Sequence, residues 1–196
     1  MNKLKILFSL LLLSFGMCAF SQEQLEVDRY VNRYFSIQYP VAWEKQEISL
    51  DNICFQTSFR EPDVAEDENF HSSTIVVKWY RKTSKSSSDL VEDFNEFYRA
   101  KYENPDKIDI ETQKMKLRFG GYDGLTTSFF IKEGDLYYNH QIFALTTPEN
   151  RGFIVTVSIN AKDKETLEKK RKFIDSIISD FHVYGGFVEQ DLETVE

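Results

Sequence analysis

The sequence predicts an α+β fold built on an antiparallel β-sheet, and three observations carry that prediction. Residues 125–131 set Leu125, Thr127, Phe129 and Ile131 against Thr126, Ser128 and Phe130 with the period of two that a half-buried strand requires, and a second run over 136–145 follows at once across a Gly134-Asp135 turn. Residues 153–159 repeat the alternation after a short loop. A single long amphipathic helix then follows over residues 163–181.

A two-residue primed turn at Gly134-Asp135 sets Phe130 opposite Asn139, Phe129 opposite His140 and Ser128 opposite Gln141. That register puts Leu125, Phe129 and Ile131 with Tyr138, Ile142 and Ala144 on one side. Thr126, Ser128, Asn139 and Gln141 share the other. In the third strand Phe153, Val155, Val157 and Ile159 oppose Ile154, Thr156 and Ser158. A four-residue loop drawn from Pro148, Glu149, Asn150, Arg151 and Gly152 sets Val157 opposite Ala144, so that the apolar faces merge. A five-residue loop makes them conflict, and the four-residue loop is the expectation. Asp163 is placed to cap the closing helix, whose Leu167, Ile174, Ile177, Ile178 and Phe181 recur at the spacing of a buried stripe. The run Lys169-Lys170-Arg171-Lys172 points around the whole circumference and is diluted by Glu165, Glu168, Asp175 and Asp180. It reads as a solvated face.

Upstream, residues 1–21 read as a secretory signal peptide: Lys3 and Lys5, an apolar run over 6–15, and Ala19-Phe20-Ser21 before the cut. The apolar run falls short of the ~20 residues a permanent span needs. Cys18 raises a lipoprotein alternative, against which Met17 argues, because lipoprotein signals place a small residue before the cysteine. Cleavage removes two lysines and no acid, taking the formal charge from -8 to -10. Nucleic acid and anionic membrane surfaces are thereby poor partners. The remaining 175 residues suit one domain over 22–184, with an acidic, loosely ordered tail over 185–196. Cys54 is left with no partner for an intramolecular disulfide.

Phe35, Ile37 and Tyr39 alternate up to Pro40, and further strands are marked by Ile53, Phe55 and Phe59 and by Ile75, Val77 and Trp79. An acidic loop over 61–69 joins the last two. A first helix follows Ser86-Ser87-Ser88-Asp89, with Asp89 and Glu92 spaced as a capping box and Leu90, Phe94, Phe97, Tyr98 and Lys101 on its inner side. Asn104-Pro105 stops it. Ile108, Ile110, Met115, Leu117 and Phe119 make an extended stretch leading to Gly120-Gly121.

This order of elements, with Phe35-Ser36-Ile37-Gln38-Tyr39-Pro40-Val41-Ala42-Trp43, Gly121 before the central strands and the segment from Phe173 to Phe181, resembles the PsbP-like superfamily. That group includes the photosystem II extrinsic protein PsbP, Ran-binding Mog-type proteins and bacterial DcrB-type envelope proteins. The resemblance covers residues 30–183 and departs at Ala42, where glycine is usual. It implies a sheet flanked by helices, an α/β/α sandwich, and a non-catalytic binding or assembly role. It supplies no ligand.

Chemical motifs are few. His71, His140 and His182 lack metal spacing, Cys54 alternates between Ile53 and Phe55 as a small strand residue, and no G-x-S-x-G is present. Gly120, Gly121 and Gly124 precede a strand and so offer no helix N-terminus to a phosphate. Calcium could be held by Asp63, Glu66, Asp67 and Glu68 of the acidic loop, although the EF-hand ladder and glycine are missing. The reading is therefore a non-enzymatic, exported binding module that needs no cofactor, periplasmic or secreted, with another envelope or secreted protein as partner. The alternatives are a hydrolase with an unrecognised site or calcium binding at that loop. The partner surface predicted is the mixed sheet face: Thr126, Ser128, Phe130, Asn139, Gln141, Thr156 and Ser158, with Phe130 as anchor.

Overall fold

The structure, a computed structural model, describes residues 26–50, 54–62, 72–101, 108–109, 115–133 and 136–185. Its elements in order are β1 (Val27–Val31), β2 (Phe35–Pro40), β3 (Glu44–Ser49), β4 (Cys54–Arg60), β5 (Thr74–Tyr80), α1 (Ser87–Lys101), β6 (Ile108–Asp109), β7 (Met115–Phe119), β8 (Tyr122–Glu133), β9 (Leu136–Thr146), β10 (Gly152–Ala161), α2 (Lys164–Ser179) and β11 (His182–Val183). The fold is α+β. One sheet runs β3-β4-β5-β10-β9-β8-β6, with β7 also paired to β8, and a smaller one runs β1-β2-β11.

The β8–β9 hairpin has the register its turn implies, with Ser128 opposite Gln141, Phe129 opposite His140 and Phe130 opposite Asn139. The next connection differs from expectation. Gly152 pairs with Thr146, so the loop comprises the five residues 147–151, closed by Thr147 N–H to Arg151 O at 2.9 Å and Asn150 N–H to Thr147 O at 2.9 Å. Asn150 takes a positive φ of 62°, a conformation that asparagine tolerates better than most residues. Val157 therefore faces Gln141, and Ile154 faces Ala144. With a side-chain period of two, this places the apolar row Phe153, Val155, Val157 and Ile159 on the side of Asn139 and Gln141.

The sheet tolerates that arrangement because each side has its own cover. On one side α2 delivers Leu167, Ile174, Ile177 and Ile178 to a core with the apolar row of β10, Ile75, Val77 and Phe59. The small sheet adds Tyr30, Phe35, Ile37 and Val183 to the same core, and Phe35 stands 5.2 Å from Trp79 and 5.6 Å from Phe181, ring to ring. On the other side Leu90 and Val91 of α1 pack with Phe129, Ile131, Tyr138, Ile142, Ala144 and Ile154. The face that carries Phe129, Ile131, Tyr138, Ile142 and Ala144 is thus covered by the first helix and not by the long one.

Local signals act as the chain chemistry requires. Asp163 caps α2 by accepting the Thr166 N–H at 2.8 Å. The capping box of α1 is Ser86 with Asp89: Ser86 Oγ accepts the Asp89 N–H at 3.2 Å, and Asp89 Oδ2 accepts the Ser86 N–H at 2.8 Å. Asp89 is therefore the returning carboxylate and not the cap. Pro40 ends β2, and its carbonyl accepts the Trp43 N–H at 2.9 Å. The leader, the tail beyond 185, the Gly134-Asp135 turn and the calcium candidates Asp63, Glu66, Asp67 and Glu68 lie outside the described residues.

The basic run on α2 is less solvated than expected. Lys170 reaches Glu61 Oε1 and Oε2 at 2.9 and 2.8 Å, with each side chain about a quarter exposed. Ser73 N–H also donates to Glu61, at 3.1 Å. Burial alone raises the Glu61 pKa, but the hydrogen bonds from Lys170 and Ser73 outweigh it and hold the carboxyl below its ordinary value. Lys169 and Lys172 are the exposed members, and Lys169 pairs with Glu165 one turn away at 2.8 Å.

Candidate functional site

The seven residues predicted as one face divide between two. Thr126, Ser128 and Phe130 lie half-buried on the α2 side of β8, beside buried Asn139 and Gln141 on β9. Thr156 and Ser158 lie on the α1 side, opposite Ile142 and His140. The physical reason is the five-residue loop, which reverses the parity assumed for β10.

The α2-side strip runs into a groove of about 880 Å³ lined by Arg29, Ser36, Gly120, Phe143, Asp175 and Tyr184 among others. Sequence reasoning passed over Arg29, because β1 has only Tyr30 buried and carries no clear alternation. In the groove Arg29 forms an ion pair with Asp180 at 2.6 Å, and its Nη1 donates to Ser36 Oγ at 3.4 Å. The floor is set by Gly120, which has a φ of 59° and whose carbonyl accepts the Val183 N–H at 3.2 Å. A Cβ there would meet Val183, Leu145 and Phe181 side-chain atoms at 3.0 to 3.1 Å, so both backbone and space call for glycine.

Gln141 connects groove and strip. Its side chain hydrogen-bonds the Asp175 carboxylate, while Oε1 has no hydrogen-bond partner among the described residues. Asp175 is exposed on the groove wall. Packing around its carboxyl nonetheless pushes the pKa above the ordinary value, an effect only partly offset by nearby Arg171 and by Gln141. Arg171 in turn lies over the Phe130 ring, 5.7 Å from its centroid. The sequence therefore names the strip residues on β8 and β9, and the fold adds Asp175 and Arg171 from the helix.

On the other side of the sheet, His140 Nδ1 stands 2.8 Å from Ser158 Oγ. Ser158 sits within β10, paired on both sides by β9 and β5, so neighbouring backbone N–H groups are committed to ladders. The pair is a hydrogen bond across two strands, without the strained turn that exposes a serine nucleophile. Cys54 and His140 are buried, and His182 is exposed with its ring 5.2 Å from that of Tyr184. Among the described residues, no three His, Cys, Asp or Glu side chains stand together as a metal site.

No protein-family model and no curated protein matches this chain. The fold is similar to that of LpqN, described as involved in cell envelope biogenesis of Mycobacterium tuberculosis. The TM-score is 0.50 at 11% identity, over 85% of this chain and 96% of that one. A protein of Bacteroides thetaiotaomicron aligns over 80% of this chain and 48% of its own length, with a TM-score of 0.41 and 14% identity. At such identities the likeness concerns the fold alone. No helix among the described residues is long and apolar enough to cross a membrane.

Proposed function

We propose that this protein is a non-enzymatic, exported binding module of the PsbP-like type, an α/β/α sandwich, that meets a protein partner along the strip and groove beside α2. The observation that carries the reading is Phe130: a half-buried aromatic ring under the Arg171 guanidinium, near the buried Gln141 Oε1, which has no hydrogen-bond partner among the described residues, and the polar wall of the groove. An aromatic anchor ringed by hydrogen-bonding groups is the composition that protein interfaces favour at their centres. Export is supported by the leader pattern of residues 1–21. The involvement of LpqN in cell envelope biogenesis agrees with it.

The test is recovery of partners from envelope extracts by the protein and two variants. Phe130→Ala with Asp175→Ala removes the anchor and the groove acid, and recovery of a specific partner falls at least tenfold while the thermal midpoint moves little. Ser158→Ala, on the opposite side of the sheet, leaves recovery unchanged. Equal recovery by all three moves the binding surface elsewhere.

A further inference from the structure

Among the described residues strand β3 is one of the two outer strands of the large sheet, and all six of its residues are exposed. It carries no proline, and Ile48 and Leu50 beside it are 36% and 48% exposed. Such an edge is a template for another strand, which natural proteins blunt or pair. The ladder to β4 decides which backbone groups face outward. Leu50 N–H donates to Cys54 O at 3.1 Å, so the bonded pairs with β4 fall at Leu50, Ile48, Gln46 and Glu44. Ser58 Oγ, donating to the Gln46 carbonyl at 3.5 Å, agrees with that parity. Lys45 and Glu47 therefore turn their N–H and C=O groups to the outer side.

We infer that β3 pairs antiparallel with β3 of a second copy about a two-fold axis through Gln46, joining the two large sheets edge to edge. The charges select this occupant and this register. Pairing across the two-fold must match outward-facing residues, which are the odd-numbered ones. Centring the axis on Lys45 sets lysine against lysine, and centring it on Glu47 sets glutamate against glutamate. Centring it on Ile48 overlaps three residues of the strand, or five with Leu50, and sets Glu47 against Ser49, so that it pairs no opposite charges. Centring it on Gln46 places Lys45 opposite Glu47 of the second copy, twice, and Gln46 opposite Gln46, where the two amides can bond. The segment Glu44-Lys45-Gln46-Glu47-Ile48 is thus complementary to itself in charge in this register only. Within one copy Lys45 and Glu47 stand 3.7 Å apart, so both charges are already on the same side of the strand.

The test reads oligomeric state by light scattering and sedimentation over a concentration series. The protein is expected to dimerise. Lys45→Glu alone and Glu47→Lys alone each set like charges opposite one another, and each weakens the dimer at least tenfold. Mixing these two variants restores a heterodimer, and the double exchange Lys45→Glu with Glu47→Lys restores a homodimer. In a Cys54→Ser background, oxidation of Gln46→Cys gives a cross-linked dimer, because strands at a non-bonded pair bring Cα atoms to about 4.5 Å. Glu44→Cys and Ile48→Cys do not cross-link. A monomer at every concentration, a dimer indifferent to either single charge change, a mixture that stays monomeric, or cross-linking at position 44 or 48 in place of 46 overturns the inference.

Discussion

The α2 side of the large sheet has two halves of opposite character. Over β5 and β10 it is a closed apolar surface, with Ile75, Val77, Phe153, Val155, Val157 and Ile159 sealed by α2 and the small sheet. Over β8 and β9 it carries Ser128, Asn139, Gln141 and half-buried Phe130, and it opens into the groove beside Asp175. One helix borders both. Complete water exclusion in the first half makes it the source of stability, while the second half buries the amides of Asn139 and Gln141 and leaves Ser128 and Phe130 partly exposed.

The sharpest way to break this contrast is to put a charge into the sealed half. Ile174→Asp buries an unpaired carboxylate among side chains that exclude water, and is expected to cost several kcal/mol in a denaturant titration. A loss near zero would mean that α2 does not seal this half. Next comes the tie that holds α2 against the chain beyond β4. Lys170→Asp sets a carboxylate against Glu61 and is expected to cost about 2 kcal/mol, reduced from the value for a fully buried pair because both side chains keep some exposure. This is larger than a solvated lysine would give, and Lys169→Asp provides that comparison at under about 1 kcal/mol.

The same pair predicts a pH dependence. Glu61 has its pKa lowered in the folded state, so its contribution is fully present above the unfolded value. It is lost as pH falls through the folded value. Thermal midpoints measured from neutral to acid pH should fall less steeply for Glu61→Gln than for the unaltered protein below the usual glutamate range. Parallel curves would remove Glu61 from the account. At the boundary of the two halves, Gly120→Ala is expected to cost about 1 to 3 kcal/mol, through a positive φ and contacts with Val183, Leu145 and Phe181. Smallest is Ser128→Arg in the open half, within about 0.5 kcal/mol of the unaltered protein by thermal midpoint. A large loss there would mean that the strip is closed, and partner binding would have to be sought elsewhere.

The sequence by itself determined the elements whose residues report on their own surroundings. The period of two in β8 and β10, the stripe of α2 and its Asp163 cap are local consequences of which side chains seek water, and the two-residue separation of β8 and β9 carries their pairing with it. β3 escaped notice because an edge strand exposed on every residue has no buried row to create a period. Only the tertiary structure decided which face each row occupies. A loop of four or five residues is nearly equal in local preference, yet it moves every side chain of β10 to the other side of the sheet. The choice falls to the second cover: with Leu90 and Val91 of α1 shielding one face and α2 the other, both apolar rows are buried. The same long-range packing brings Asp175 and Arg171 to the strip on β8 and β9 and Arg29 to the groove beside it, a juxtaposition between residues far apart in the chain that no local pattern encodes.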